Sequence, residues 1–365
     1  MKKIGLFEFT RRLRRLAENR DHKIVFFIGA GCSISSDVPS AADLTKEWIK
    51  KLKWMEVKDS LSFDEWISTN EKYKKYTDEN SSAFYANVIN DLFPDEDQRQ
   101  EEIERIVTEN DPGFGYAVLA YLLTNAKFRN NFNKILTTNF DDLIADALYI
   151  YTNKKPLVIT HESLIDYAKL SSVKPTIIKL HGDAHLNPKN TKPETDKIDK
   201  RVEEKVINIV RESYVIFTGY GGNDTGIKEI FDNVPNLKSK MYWVNNKIPK
   251  TDFGKWLENT EAIWVDHLAF DSLMMSIFNK FGLEHLDFKS RFDQLQLNYI
   301  KWVDNLNMEI SKERSTEKRK KLLELQQKTV KRMRMGKDYE VVWSQGRWII
   351  THKFLKAGDK VRIHY

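Results

Sequence analysis

Short apolar runs of strand length recur along this chain, and between them the hydrophobic positions fall at helical spacing. The first run, "KIVFFI" at 23–28, passes straight into Gly-Ala-Gly. After Phe132 six more follow: "FNKILTT", "PLVIT", "TIIKL", "SYVIFTG", "KMYWVNN" and "AIWVD". Seven such runs alternating with helical patterns predict an α/β fold, a Rossmann-like parallel sheet with helices on both faces. Leu6, Phe7, Phe9, Leu13 and Leu16 among arginines predict an amphipathic helix over 5–19. Between the first and second strands, from about 42 to 130, "DLTKEWIKKL", "FDEWIS", "SAFYANVINDLF" and "GFGYAVLAYLLTNA" predict a helical insertion. Residues 284–335 read as long helices. The tail "DYEVVWSQGRWIITHKFLKAGDKVRIHY" alternates like an antiparallel meander that breaks at "SQGR" and "KAGDK". The expected organisation is a catalytic domain over 1–285 and a helical and β-meander extension over 286–365, with no internal repeat or low-complexity linker.

Composition narrows this picture. The 365 residues are 41% hydrophobic and 12% aromatic, enough for a large core. One cysteine, Cys32, excludes an internal disulfide framework and a zinc site built on several thiolates. No metal is expected. With no apolar run suited to a signal peptide in the first twenty residues and none long enough to span a membrane, a cytoplasmic location without membrane contact is expected. The net charge of +6 is concentrated: residues 311–337 hold eleven Lys or Arg against three Glu, and the remainder of the chain is slightly negative. Such a run suits a solvated helix face, an acidic partner or direct contact with nucleic acid.

Ligands of open parallel sheets sit beyond the carboxyl ends of the strands, and four strand ends here carry polar signatures: "GAGCS" at 29–33, "TTNFD" at 137–141, "LHGD" at 180–183 and "GYGGND" at 219–224. The first is not a dehydrogenase fingerprint, because the place of its third glycine is Ile34 and no acidic residue ends a second strand about 20 residues later. Gly29 and Gly31 permit close backbone approach, so that amide N–H groups and the Ser33 hydroxyl can face a pyrophosphate. Cys32 reads as a small buried thiol. Asn139 follows a strand directly and can be a helix N-cap, with Asp141 or Asp142 helping in the first helical turn. His181, followed by a glycine that lets the chain turn, is the expected base; His185 competes with it, and Asp183 fixes the turn. Gly219 and Gly221 again allow close approach, and Asp224 is read equally as a helix cap.

The order and spacing of these four signatures resemble the sirtuin-like family over roughly residues 20–285, and within it the bacterial branch that hydrolyses NAD in defence against phage. The resemblance implies that Ala30 joins Gly29, Gly31, Ser33, Gly219 and Gly221 around NAD, bound with its diphosphate at the glycine turn in the inverted sense typical of sirtuins. It places the ribose-binding, water-positioning asparagine at Asn139 and the acidic residue two places on at Asp141. It also puts Asn245 beside the adenine ribose, with Asp266 a weaker candidate nearby. The protein deacylases of the family carry a four-cysteine zinc ribbon and a Gln-Asn pair where this chain has Thr138-Asn139; Asp37 stands where many members have glycine. Deacylation is therefore not expected, and NAD+ hydrolysis with release of nicotinamide and ADP-ribose is.

The other class of function weighed is a catalytically silent NAD or ADP-ribose sensor or assembly module. The resemblance further implies a separate activating subunit, either a hexameric translocase ATPase or a short prokaryotic Argonaute, and a homo-oligomer. The aromatic, basic tail is expected to serve assembly.

Overall fold

The computed structural model describes the chain except for residues 170, 186–187, 190–197, 235–236, 238–239, 284–300, 302–303, 306, 333–338, 345–346 and 353–365; for 325–332 and the two strands that follow, it describes the backbone only. The chain divides into two compact units, Met1–Asp287 and Phe288–Tyr365.

In the first unit eight strands form one sheet: β1 (Lys2–Ile4), β2 (Lys23–Ile28), β3 (Lys134–Thr137), β4 (Leu157–Ile159), β5 (Thr176–Lys179), β6 (Ser213–Thr218), β7 (Met241–Val244) and β8 (Ile263–Val265). Their order is β1-β8-β7-β6-β2-β3-β5-β4, and every pairing is parallel. The seven expected strands are all present. The eighth, β1, was not foreseen: it has only three residues, two of them exposed lysines, and pairs at the edge with β8.

Period-two alternation on β2 sorts the core into two layers. Ile24, Phe26 and Ile28 point to one face, which α1 (Leu6–Glu18), α6 (Phe114–Thr124), α7 (Leu143–Thr152) and α11 (Phe270–Phe281) cover. Val25 and Phe27 point to the other, covered by α8 (Lys200–Arg211), α9 (Thr225–Asp232) and α10 (Asp252–Glu258). In α1 the buried Phe9, Leu13 and Ala17 recur every four residues while Arg11 and Arg15 face outward, as the amphipathic reading requires.

The insertion between β2 and β3 holds α2 (Ala41–Val57), α3 (Phe63–Thr69), α4 (Tyr85–Leu92), α5 (Glu96–Val107) and α6. It has a core of its own around Trp48, Ile49, Trp66, Tyr73, Val88 and Ile89. Local chemistry sets its breaks: Ser40 caps α2, and a Ser62–Glu65 capping box starts α3. The sequence pattern missed α5, which buries only Arg99 and Ile103 and is announced mainly by its Asp95 cap.

In the second unit, α12 (Thr316–Arg332) carries most of the basic run. Strands β9 (Tyr339–Ser344) and β10 (Arg347–His352) pair antiparallel with Trp343 opposite Trp348. This is the first hairpin of the expected meander; its second break, at "KAGDK", lies outside the described residues.

The chain passes from β2 to the β3 side of the sheet and later returns to β6 on the other side, so the order reverses between β2 and β6. At that point the two glycine turns touch. Gly31 N–H donates to Gly219 O at 2.8 Å, and a Cβ at Gly29 would lie 2.5 Å from both Gly219 O and Tyr220 Cα. Gly219 itself sits at φ +65°, which favours glycine. Because those neighbours are backbone and cannot swing away, Gly29→Ala should lower unfolding stability by about 1–3 kcal/mol. A lower urea midpoint at unchanged m would show it; an unchanged midpoint would mean the turns separate freely.

Candidate active site

The carboxyl ends of β2, β3, β5, β6 and β7 open into one cavity of about 700 Å³, roofed by apolar residues of the insertion such as Val38, Leu44, Ile103 and Ile106. A volume of this size suits a small-molecule ligand. Asn139, Asp141, His181, Ala30, Gly31, Gly219, Gly221 and Asn245 all line it.

A buried hydroxyl organises one wall. Ser33 Oγ donates to Asp141 Oδ2 at 2.8 Å, lies 2.8 Å from the Tyr116 hydroxyl and accepts from Asn139 Nδ2 at 3.0 Å. Its single proton is given to the carboxylate, so Tyr116, whose pKa burial pushes well up, is the donor in the remaining contact. Asn139 Nδ2 also reaches Asp141 Oδ2 at 3.2 Å. A flipped amide would set its oxygen against these two oxygens, so Oδ1 is held on the other side, buried and with no hydrogen-bond partner. The N-cap alternative for Asn139 falls away, because Asp142 occupies the cap position of α7. Asp141 accepts from Leu143 N–H in the first turn, and burial raises its pKa against the opposing pull of Ser33 and Lys179.

On the neighbouring strand end, His181 is 6% exposed and its Nε2 likewise has no hydrogen-bond partner. Burial lowers its pKa, Lys189 adds to that, and Asp224 opposes it. A neutral imidazole with a free, buried nitrogen is suited to take a proton. Gly182 (φ +81°) supplies the turn after it. Beneath, Lys179 spends its ammonium on Phe140 O at 2.8 Å, Asp142 Oδ1 at 2.8 Å and Asp183 Oδ2 at 2.6 Å, tying the end of β3 to the end of β5.

Several expectations change. The amides of Gly29, Gly31, Cys32 and Ser33 donate to Thr218, Gly219, Gly29 and Ala30 carbonyls, and the Ser33 hydroxyl turns into the wall. The glycines thus serve the close approach of two turns, and neither Gly29 nor Ser33 lines the cavity. Cys32 is the inert thiol expected: it contacts Thr218 Oγ1 at 3.7 Å, and burial raises its pKa. Asp266 pairs with Lys3 at 2.8 Å and is not on the cavity wall. His185 sits half exposed, 3.6 Å from Glu104. Asp183 fixes its turn by accepting from His185 N–H. Tyr116, Lys179 and Tyr220 were missed. A lysine inside the buried run "TIIKL" was the one available signal, since a buried ammonium must find partners.

Among the described residues no group of three or more His, Cys, Asp or Glu could hold a metal ion, and no helix is long and apolar enough to cross a membrane.

Residues 133–263 match the family model of the SIR2-like domain. Over 290 residues the chain is 23% identical to Defense-associated sirtuin 2 of Bacillus subtilis, a match that takes in 77% of the chain and 25% of that relative. The chain therefore spans about a quarter of the length of this curated relative. A structure described as the basis for the mechanism and regulation of Sir2 enzymes aligns at TM-score 0.40 and 12% identity, over 75% of this chain and 96% of its own. A mutant Sir2 homologue in complex with ADP-ribose aligns at 0.41 and 13%, over 75% and 98%. The stretch matched by the family model takes in three of the four strand-end signatures and is similar to the SIR2-like domain.

The lowered basicity of His181 has a consequence for stability. Between its folded-state pKa and about 6.5 the unfolded chain binds a proton that the folded chain does not, so this contribution is lost as pH falls through that window. From pH 7.5 to 5.5, wild type should lose more stability than His181→Gln. Urea midpoints at the two pH values would measure this; a larger loss in the variant would contradict it.

Proposed function

We propose that this chain is an NAD+ glycohydrolase that releases nicotinamide and ADP-ribose. One observation carries the reading: Asn139 Oδ1 and His181 Nε2, both buried and both without hydrogen-bond partners, belong to residues that line the same cavity at neighbouring strand ends of a sirtuin-like sheet. Buried polar atoms without partners are costly, and a pair of them on one cavity is accounted for by a ligand that completes them.

In this reaction the N-glycosidic bond breaks with its electron pair going to the nicotinamide nitrogen, and a water oxygen bonds to the ribose C1′. The water gives its proton to His181 Nε2. Asn139 Oδ1, held by Ser33 and Asp141, accepts from a ribose hydroxyl or from that water and fixes its direction. With the amides of Gly29, Gly31, Cys32 and Ser33 satisfied internally, other cavity residues are available to the diphosphate: Lys189 and Lys247 supply charge, and Asn223 and Asn245 supply amide groups. The apolar roof excludes bulk water around the oxocarbenium-like centre.

The likeness to Defense-associated sirtuin 2 supports a defence role in which NAD is depleted, with activity governed by assembly with further copies or with a separate activating subunit. Asn139→Ala and His181→Ala should each lower nicotinamide release by at least about 100-fold while circular dichroism stays that of the wild type. Near wild-type turnover in both variants would refute the assignment.

A further inference from the structure

Asp224 occupies the N-cap position of α9, yet its side chain makes no capping bond to that helix. The carboxylate turns the other way: Oδ2 accepts from the buried Tyr220 hydroxyl at 2.8 Å, and Oδ1 faces His181 Nε2 at 4.0 Å. A cap aspartate that gives up the helix amides for a tyrosine and a histidine is held by something other than the helix. Asp224 and Tyr220 both line the cavity, and the buried Tyr220 ring is packed against Phe27, Trp243 and Phe253. The tyrosine therefore pins the carboxylate at a set distance from the imidazole.

We propose that Tyr220 and Asp224 form a positioning pair for His181, with the Asp224 carboxylate holding the imidazolium that forms when Nε2 accepts a proton. The proposal deepens the hydrolytic reading above and rests on it for its catalytic part. At 4.0 Å the two groups are too far apart for a hydrogen bond but close enough for a carboxylate to favour the charged ring. Once water has given its proton to Nε2, the new N–H faces Asp224 Oδ1; the water oxygen has gone to C1′ and the electron pair of the broken bond to nicotinamide, so the balance is complete. The other charged group acting on His181 is Lys189, which pulls the opposite way, as burial does. Asp183, two residues along, is occupied by Lys179. Asp224 is thus the anionic group that offsets both.

The test is Asp224→Asn in the full chain, read by NMR titration of the His181 ring with His181→Gln giving the assignment. The pair requires the His181 pKa to fall by about 1 unit in the variant. It further requires the acidic limb of the pH–rate profile for nicotinamide release to move down by the same amount, with kcat lower by about 10-fold and KM little changed. Asp224→Glu should restore the titration in part. An unchanged His181 pKa in Asp224→Asn overturns the proposal whatever the turnover does, as does a loss confined to thermal stability, the mark of a merely structural cap. If the wild-type chain releases no nicotinamide, the hydrolytic reading fails by itself, and the titration still decides whether the carboxylate governs the imidazole.

Discussion

A single buried hydroxyl, that of Ser33, ties together three segments remote in the chain: the turn after the first long strand, the last helix of the insertion through Tyr116, and the end of β3 through Asn139 and Asp141. A hydroxyl has one proton to give and two lone pairs to offer, and all of that capacity is used. The amide of Asn139 consequently has one favourable orientation, and its buried oxygen is left with no hydrogen-bond partner. Direction at the cavity is thus set by hydrogen bonds behind it.

A second strut works in the same sense beneath the other wall. Lys179 is almost fully buried, and its three partners come from the two loops that carry Asn139 and His181. Buried charge is tolerated only when its partners are complete, so these loops hold their relative position at a cost in desolvation that the ion pairs offset. The contact of two glycine turns between β2 and β6 closes the floor. All three devices hold backbone around a cavity on which Asn139 Oδ1 and His181 Nε2 remain unsatisfied, which is the arrangement a preorganised site calls for.

Much of this was legible in the sequence. Unbroken apolar runs such as "KIVFFI" and "SYVIFT" belong to strands covered on both faces, and each ended at a polar signature that the structure brings to one edge of the sheet. Strand β1 and helix α5 escaped because one is three residues long with two exposed lysines, and the other buries almost nothing apolar. The errors at the site have a common cause: composition tells which groups are present, not which way they point. Ser33 was read as a ligand for phosphate and faces the wall; Asp266 was placed near the ribose and pairs with Lys3; Asp224 holds the cap position expected of it, but its carboxylate faces a histidine. Hydrogen-bond capacity is local, but its use depends on neighbours 43 to 263 residues away.

The central claim is that water, directed by Asn139 and deprotonated by His181, replaces nicotinamide on the ribose. The most direct measurement is incubation of the wild-type chain with NAD in ¹⁸O-labelled water, followed by mass spectrometry of the nucleotide products. The account predicts free nicotinamide and ADP-ribose carrying one heavy oxygen. NAD recovered intact while bound to the protein would contradict it and leave the cavity as the pocket of a sensor.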